Sequence, residues 1–367
     1  MGIQKLILNI ILTLEAFFLK FLRIKENRIT LISLESNTPT FDFKLIYNQL
    51  DKTKYDVCLC LIQYKKNLKG QFLYFLNCLK QLYYIYTSHL VILNDNNYAV
   101  SHFKRKGVIV LQIWHACGAI KKFGNAIERE YPVSNYDYVI STSSYWKKPY
   151  SEAFGVKEDN VKPTGMPRND ELFSKEKREE YRKDLFEKYP YLKNKKIILY
   201  APTFRGNIYK GFRTISFDAL QLINQLSEDF VILYKYHPLL GNYQLPQHER
   251  IINMNKEDTH QLFCISNYLI SDYSSIIFDF MILEKPIIFF VPDLKEYMKD
   301  IGTFVDIEKL GCPICYSEEE ILHKIQNQSF DINQIKQLKK RFFDIPDENS
   351  TKRVVELIEN LINHNQF

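Results

Sequence analysis

Four short clusters hold the side chains able to move protons or grip anions. The first runs Gln112-Ile113-Trp114-His115-Ala116-Cys117-Gly118-Ala119-Ile120-Lys121-Lys122-Phe123-Gly124. An imidazole such as that of His115 accepts a proton near neutral pH, and Gly118 permits close approach of the backbone to a ligand. Lys121 and Lys122 add positive charge, and Trp114 flanks the histidine. A lone histidine after a strand is usually a packing residue; the company of a tryptophan, a glycine and two lysines favours chemistry.

The second cluster is Tyr200-Ala201-Pro202-Thr203-Phe204-Arg205-Gly206. The planar fork of Arg205 suits phosphate oxygens, and Thr203 brings a hydroxyl beside it. The third, Tyr234-Lys235-Tyr236-His237-Pro238, offers Lys235 together with a histidine, His237, that either donates to a phosphate or packs in a core. The fourth, Ile270-Ser271-Asp272-Tyr273-Ser274-Ser275-Ile276-Ile277-Phe278-Asp279-Phe280, reads as a strand ending at Asp272 and then a serine-capped helix. Free N–H groups and the Ser274 and Ser275 hydroxyls at such a helix start suit an anion. Asp272 and Asp279 are the acids nearest to a metal-binding role, but no carboxylate cluster typical of magnesium accompanies them, so no tightly held metal and no other cofactor is expected.

Each cluster directly follows an apolar run. In the first half these are Arg28 to Leu34, Asp56 to Ile62, His89 to Leu93, Val108 to Ile113 and Tyr138 to Ser141; in the second, Lys196 to Tyr200, Phe230 to Tyr234, Tyr268 to Ser271 and Pro286 to Val291. Continuous apolar runs mark strands buried on both faces of a parallel sheet, and ligands bind beyond the carboxyl ends of such strands. Helical segments alternate with the strands, and Ile332 to Phe343 and Ser350 to Ile362 read as closing helices. The fold expected is α/β, with two Rossmann-like domains facing across a cleft. The charged helix Glu176 to Lys188, ended by Tyr189-Pro190, sets the boundary between residues 27–185 and 186–367, with a last helix able to cross back.

The 367 residues are 46% hydrophobic, 25% charged and 14% aromatic, a composition for packed domains rather than disorder. A net charge of +6 suits an anionic substrate or lipid better than nucleic acid. The odd count of seven scattered cysteines argues for a reducing compartment, and Cys312-Pro-Ile-Cys315 lacks the second pair of a zinc ribbon. Residues 1–26 read as an amphipathic helix in the membrane plane. Ile3 to Ile24 is apolar but interrupted by a polar stripe through Lys5, Asn9, Thr13 and Lys20, with Phe17, Phe18 and Phe21 as anchors. Lys65 to Tyr86, basic and aromatic, is a second candidate for the interface.

The segments WHACGAIKKFG, YAPTFRG, YKYHP and SDYSSIIFDFMILEKPIIFF, in this order and rough spacing, resemble the CDP-glycerol glycerophosphotransferase family of teichoic-acid and capsule biosynthesis. That family is similar to GT-B glycosyltransferases. The resemblance implies that His115 acts as base on the acceptor hydroxyl, and that Arg205, His237, Ser274 and Ser275 hold the donor pyrophosphate. Two departures stand out: His115-Ala116-Cys117-Gly118 where the family often has His-Gly, and Ile301-Gly302-Thr303 where Arg-Gly-Phe is common past Tyr297. The partners implied are a CDP-activated polyol, an undecaprenyl-diphosphate-linked saccharide and an anionic membrane at the cytoplasmic face, with CMP as leaving group. A single-addition or capsule transferase is expected in preference to a long-chain polymerase. The alternatives are a CDP-ribitol enzyme, a GT-B glycosyltransferase using a nucleotide sugar, and, from another class, a non-catalytic membrane scaffold.

Overall fold

β-branched and leucine-rich runs become parallel strands because both of their faces are covered. The computed structural model describes residues 3–65, 67–129, 131–207, 211–236 and 244–363. The chain divides into two compact units, residues 1–115, 123–170 and 349–367 in one and residues 116–122 and 171–348 in the other. The division falls at Asp170/Glu171, so the charged helix, observed as Lys175–Lys188, lies in the second unit, and residues 349–367 belong to the first.

The first unit is built on β1 (Lys25–Ser33), β2 (Asp56–Leu61), β3 (Ser88–Leu93), β4 (Ile109–Gln112), β5 (Tyr138–Ile140) and β6 (Val161–Lys162). They lie in the order β2-β1-β3-β4-β5-β6, every neighbouring pair parallel. Strand β3 is buried along its whole length, as a central strand covered on both faces must be. The order reverses between β1 and β3, which makes their carboxyl ends the switch point where a doubly wound sheet opens a crevice.

The helix Ser350–Asn363 completes this unit. The Asp170 carboxylate accepts from the backbone N–H of Ser350 and of Thr351, at 2.7 and 2.8 Å, satisfying donors that the helix start leaves over. Arg353 donates to the Thr164 carbonyl at 2.7 Å. Gly165 between them has φ +85°, and a Cβ there would stand 2.3 Å from Ser350 Oγ, so both conformation and space require glycine.

The second unit is built on β7 (Lys196–Tyr200), a hairpin of β8 (Arg205–Asn207) and β9 (Gly211–Arg213), then β10 (Phe230–Tyr234), β11 (Ile251–Asn253), β12 (Tyr268–Ser271), β13 (Ile287–Phe290) and β14 (Ile314–Cys315). Its six parallel strands lie in the order β11-β10-β7-β12-β13-β14, the Rossmann order, whose switch point falls between β7 and β12. Its core includes Ile198, Ile232, Ile270 and Ile288, one from each of four adjacent strands. Cys312 and Cys315 are buried free thiols, each pushed up to about 12 by burial.

The N-terminal helix spans Ile3–Leu19 and docks on the Leu68–Thr87 helix through Leu12, buried with Cys78 and Leu82, and through Leu8, Ala16 and Leu19. Asn9 faces the fold, where its side chain accepts from the Tyr98 hydroxyl at 2.5 Å. Apolar side chains also line the outward side: Ile7, Ile10, Leu14, Phe17, Phe18 and Phe21 are exposed, as are Leu68, Phe72, Leu73 and Leu76 on the neighbouring helix. Between the two helices lies a cavity of about 570 Å³ whose lining includes Ile7, Leu68 and Phe72. No described helix is long and apolar enough to cross a membrane.

Candidate functional site

In the first unit the polar residues just past β1, β3 and β4 converge. The chain leaves β4 through Trp114, whose φ of +54° is rare for a residue with a side chain; such strain persists only where the surroundings enforce it. They do so here. Gln112 Oε1 accepts from the Trp114 N–H at 2.8 Å, and the indole stacks on Phe123 at 4.8 Å and lies over His115 at 3.9 Å between ring centroids.

His115 Nδ1 lies 3.0 Å from the Asn94 carbonyl oxygen. A carbonyl has no proton to give, so the bond requires the proton on Nδ1 and leaves the lone pair on Nε2. Nε2 has no hydrogen-bond partner among the described residues, and the side chain is 39% exposed. Arg168 donates from Nη1 to the His115 carbonyl at 2.9 Å and is itself held through Nε by Asp42 at 2.6 Å. Glu35, two residues past β1, places Oε1 4.0 Å from His115 Nδ1. A base with a fixed tautomer, a rigid ring and an open nitrogen is equipped to take a proton from a hydroxyl.

In the second unit the polar residues gather past β7 and β12. Arg205 lies over the Tyr273 and Tyr297 rings, which stack on each other at 3.6 Å. Its Nε donates to Asp293 Oδ2 at 2.7 Å, its Nη2 to Asp293 Oδ1 at 3.2 Å and its Nη1 to the Thr203 carbonyl at 2.8 Å. Nη1 also stands 2.9 Å from Asp272 Oδ2, an ion pair whose angles fall outside hydrogen-bond geometry. Burial works against the Arg205 cation, but Asp293 and Asp272 outweigh it and hold its pKa above the ordinary value. Asp272, 1% exposed, has its pKa raised by burial in spite of Arg205 and of the Thr203 N–H that donates to it at 2.8 Å.

Beside this network stands Lys121. Its Nζ lies 5.2 Å from the centre of the Phe204 ring, no carboxylate lies within ion-pair distance among the described residues, and burial lowers its pKa. Lys121 bridges to Thr303, and the Lys122 N–H donates to the Gly302 carbonyl at 3.2 Å. The segment that departs from the family's Arg-Gly-Phe pattern thus lies against the two lysines.

Of the remaining expected residues, Lys235 and Asp279 have protein partners. Lys235 gives its ammonium to the carbonyls of Asn255 and Glu257 at 3.0 and 2.6 Å, and burial lowers its pKa. Asp279 accepts from the Cys117 thiol at 2.7 Å and stands 3.7 Å from His260 Nε2. Gly118 is buried, with φ outside the left-handed region. The serine cap expected at Ser274 and Ser275 does not form: Ser275 takes the cap position without a side-chain hydrogen bond, and Ser274 Oγ accepts only a long 3.5 Å bond from the Ile276 N–H. Following them, Ile276–Met281 is only six residues long. His237 lies outside the described residues. No group of three or more His, Cys, Asp or Glu side chains is arranged to hold a metal ion among the described residues.

Residue types alone did not point to Glu35, Asn94, Arg168 or Asp293. The signal existed for two of them, because Glu35 and Asn94 stand just after the apolar runs of β1 and β3, as His115 does after β4.

Comparison with known proteins decides the family. The family described as CDP-glycerol:poly(glycerophosphate) glycerophosphotransferase matches residues 14–360. The chain belongs to this family. Membership makes it a polyol-phosphate transferase. Among its relatives, the teichoic acid ribitol-phosphate primase of Bacillus spizizenii is 30% identical over 363 residues, covering 93% of each chain. The teichoic acid glycerol-phosphate primase of Bacillus subtilis is 30% identical over 376 residues, covering 95% of each. In fold the family member resembles the wall teichoic acid polymerase TagF, with a TM-score of 0.71 at 21% identity over the whole of both chains. A UDP-N-acetylglucosamine 2-epimerase from Listeria monocytogenes shares the architecture more distantly, with a TM-score of 0.57 at 13% identity over 93% of this chain and 98% of that one.

Proposed function

We propose that this enzyme transfers glycerol phosphate from CDP-glycerol to a hydroxyl of a lipid-linked saccharide, releasing CMP, in the building of a teichoic-acid or capsular polymer. The observation that carries the reading is the free Nε2 of His115 on a ring fixed through Nδ1, at the carboxyl end of a doubly wound sheet, in a family of polyol-phosphate transferases. Nε2 takes the acceptor hydroxyl's proton as its oxygen bonds to the phosphorus next to glycerol, and the bond from that phosphorus to the CMP oxygen breaks. Lys121 is the cation best placed for the donor's diphosphate, because no carboxylate lies within ion-pair distance of it among the described residues; Lys122, Thr203, Arg205, His237, Ser274 and Ser275 belong to the same proposed set. Neither a metal nor another cofactor is part of the proposal, and a rate unchanged by EDTA is the expected result.

Purified protein is incubated with a synthetic lipid-linked saccharide and either CDP-glycerol or CDP-ribitol, and CMP is measured. Release from CDP-glycerol, with glycerol phosphate on the acceptor, is expected. Release from CDP-ribitol alone would reassign the donor, and sugar transfer from a nucleotide sugar would overturn the reading.

The proposed place of work is the cytoplasmic face of the membrane. The apolar side chains exposed on the Ile3–Leu19 and Leu68–Thr87 helices are accompanied by the exposed cations Lys20, Arg23, Lys69 and Lys80. Burying such side chains among lipid tails while cations meet anionic headgroups favours a peripheral attachment. Replacing Phe17, Phe18 and Phe21 together by serine leaves the seat of Leu12 intact and should weaken sedimentation with anionic liposomes; unchanged sedimentation would refute the attachment.

A further inference from the structure

We propose that Glu35 is the charged positioning partner of His115, setting the strength of the base. The inference rests on the reading of His115 as base. Glu35 and Asn94 follow β1 and β3, the two strands that flank the switch point of the first sheet. Asn94 binds both of the other groups: its carbonyl accepts a hydrogen bond from His115 Nδ1–H at 3.0 Å, and its side-chain N–H₂ donates to Glu35 Oε2 at 2.9 Å. The residue that fixes the tautomer therefore also aims the carboxylate, whose other oxygen stands 4.0 Å from the same Nδ1. A third tether is local: the Glu35 N–H donates to Ser33 Oγ at 3.2 Å.

The proton balance gives the carboxylate its role. The acceptor's proton arrives at Nε2 while the Nδ1 proton stays on its bond to Asn94, so the ring becomes a cation and Glu35 remains an anion. An anion at this distance favours the cation that forms in the transition state, and no proton passes to Glu35. The charged groups facing Glu35 are His115 and Arg168, which favour its ionised form, and Asp95 and Asp42, which oppose it; burial opposes it most. Arg168 is paired with Asp42 and with the His115 carbonyl, so of the two cations that face Glu35 the imidazole is the one whose charge changes in the reaction.

A merely structural Glu35 would need only to accept from Asn94, which Glu35→Gln still does. The test compares wild type, Glu35→Gln and Glu35→Asp on the full chain, by the pH profile of kcat/KM for CMP release and by NMR titration of the His115 ring, assigned with His115→Gln. Loss of the anion makes the imidazole easier to deprotonate. The acidic limb and the ring titration in Glu35→Gln should both move to lower pH by roughly half a unit to one unit, with the rate falling about three- to tenfold. Glu35→Asp keeps the charge and should restore the limb toward wild type; it also carries the test if Glu35→Gln folds poorly. A His115 titration that stays in place in a folded Glu35→Gln would overturn the inference. Because the NMR readout needs no turnover, it remains decisive even if His115→Ala keeps full activity, the outcome that defeats the base assignment.

Discussion

The two clusters of polar residues at the strand ends of the two sheets use the same residue types to opposite effect. In the first unit, Asn94, Arg168 and Glu35 surround His115 yet leave Nε2 open, on a side chain 39% exposed. In the second, Arg205 is 10% exposed and turns its guanidinium toward Asp293, Asp272 and a carbonyl, while Lys121 beside it has no carboxylate within ion-pair distance among the described residues. An arginine after a strand thus reads identically in sequence whether it awaits a phosphate or neutralises two aspartates. What separates the two cases is where the acids lie, and Asp293 is 88 residues away in the chain.

The largest expected effect is on stability. Arg205→Ala leaves Asp272 buried without its cation, and should cost about 3–5 kcal/mol in chemical denaturation. The pH dependence has a definite sign. With a folded pKa above the unfolded one, Asp272 favours the folded state most when protonated. Removing Arg205 raises the folded pKa of Asp272 further, so the variant's deficit should be small at the acid end, grow as pH rises from the folded value with Arg205 to the higher one without it, and then level off. A deficit that shrinks with rising pH would show that Arg205 does not serve the buried acid.

Lys121→Met sharpens the contrast. Removing a half-buried cation with no ion pair among the described residues should leave stability unchanged or improved, yet weaken binding of CDP by about 10- to 100-fold in calorimetry if a charged hydrogen bond of ~1.5–3 kcal/mol is lost. Equal affinity in the two proteins would remove Lys121 from the donor site. Smaller again is Asp170→Ala, which takes the cap from the helix Ser350–Asn363 and should cost about 0.5–2 kcal/mol without altering the pH profile of transfer. Smallest is Glu15, whose partly buried carboxyl is pushed up to about 7 by burial, with Oε2 unpartnered. Its folded pKa exceeds its unfolded one, so its contribution is lost as pH rises toward about 7. Glu15→Gln should be slightly more stable than wild type at pH 8 and indistinguishable at low pH, as read by thermal midpoints.

The strands that carry the candidate site were legible in the sequence because they are buried on both faces. β7, β10 and β12 run over Lys196–Tyr200, Phe230–Tyr234 and Tyr268–Ser271, as their apolar runs predict, and β1, β3 and β4 differ only at their ends. The strands β6, β11 and β14 escaped; with two or three residues each, they form no apolar run, and pairing with a neighbour decides them. The N-terminal helix shows a different limit. Its polar stripe suggested one dry face and one wet one, but Asn9 bonds inward to Tyr98, and apolar residues occupy both the docked and the outward sides. Periodicity counts the apolar positions; it does not say which of them meet another helix. His115 was found from its neighbours, whereas Glu35, 80 positions earlier, becomes its neighbour only through the crossing of β1 beside β3.

The atom that takes the proton decides the proposed mechanism. His115→Ala, assayed for CMP release with CDP-glycerol and a lipid-linked saccharide, should lose about 10²–10⁴-fold in rate. Its thermal midpoint should stay near that of wild type, because the ring is partly exposed and, among the described residues, held by one hydrogen bond. A folded His115→Ala enzyme that keeps more than about a tenth of the wild-type rate would contradict the claim that His115 is the base.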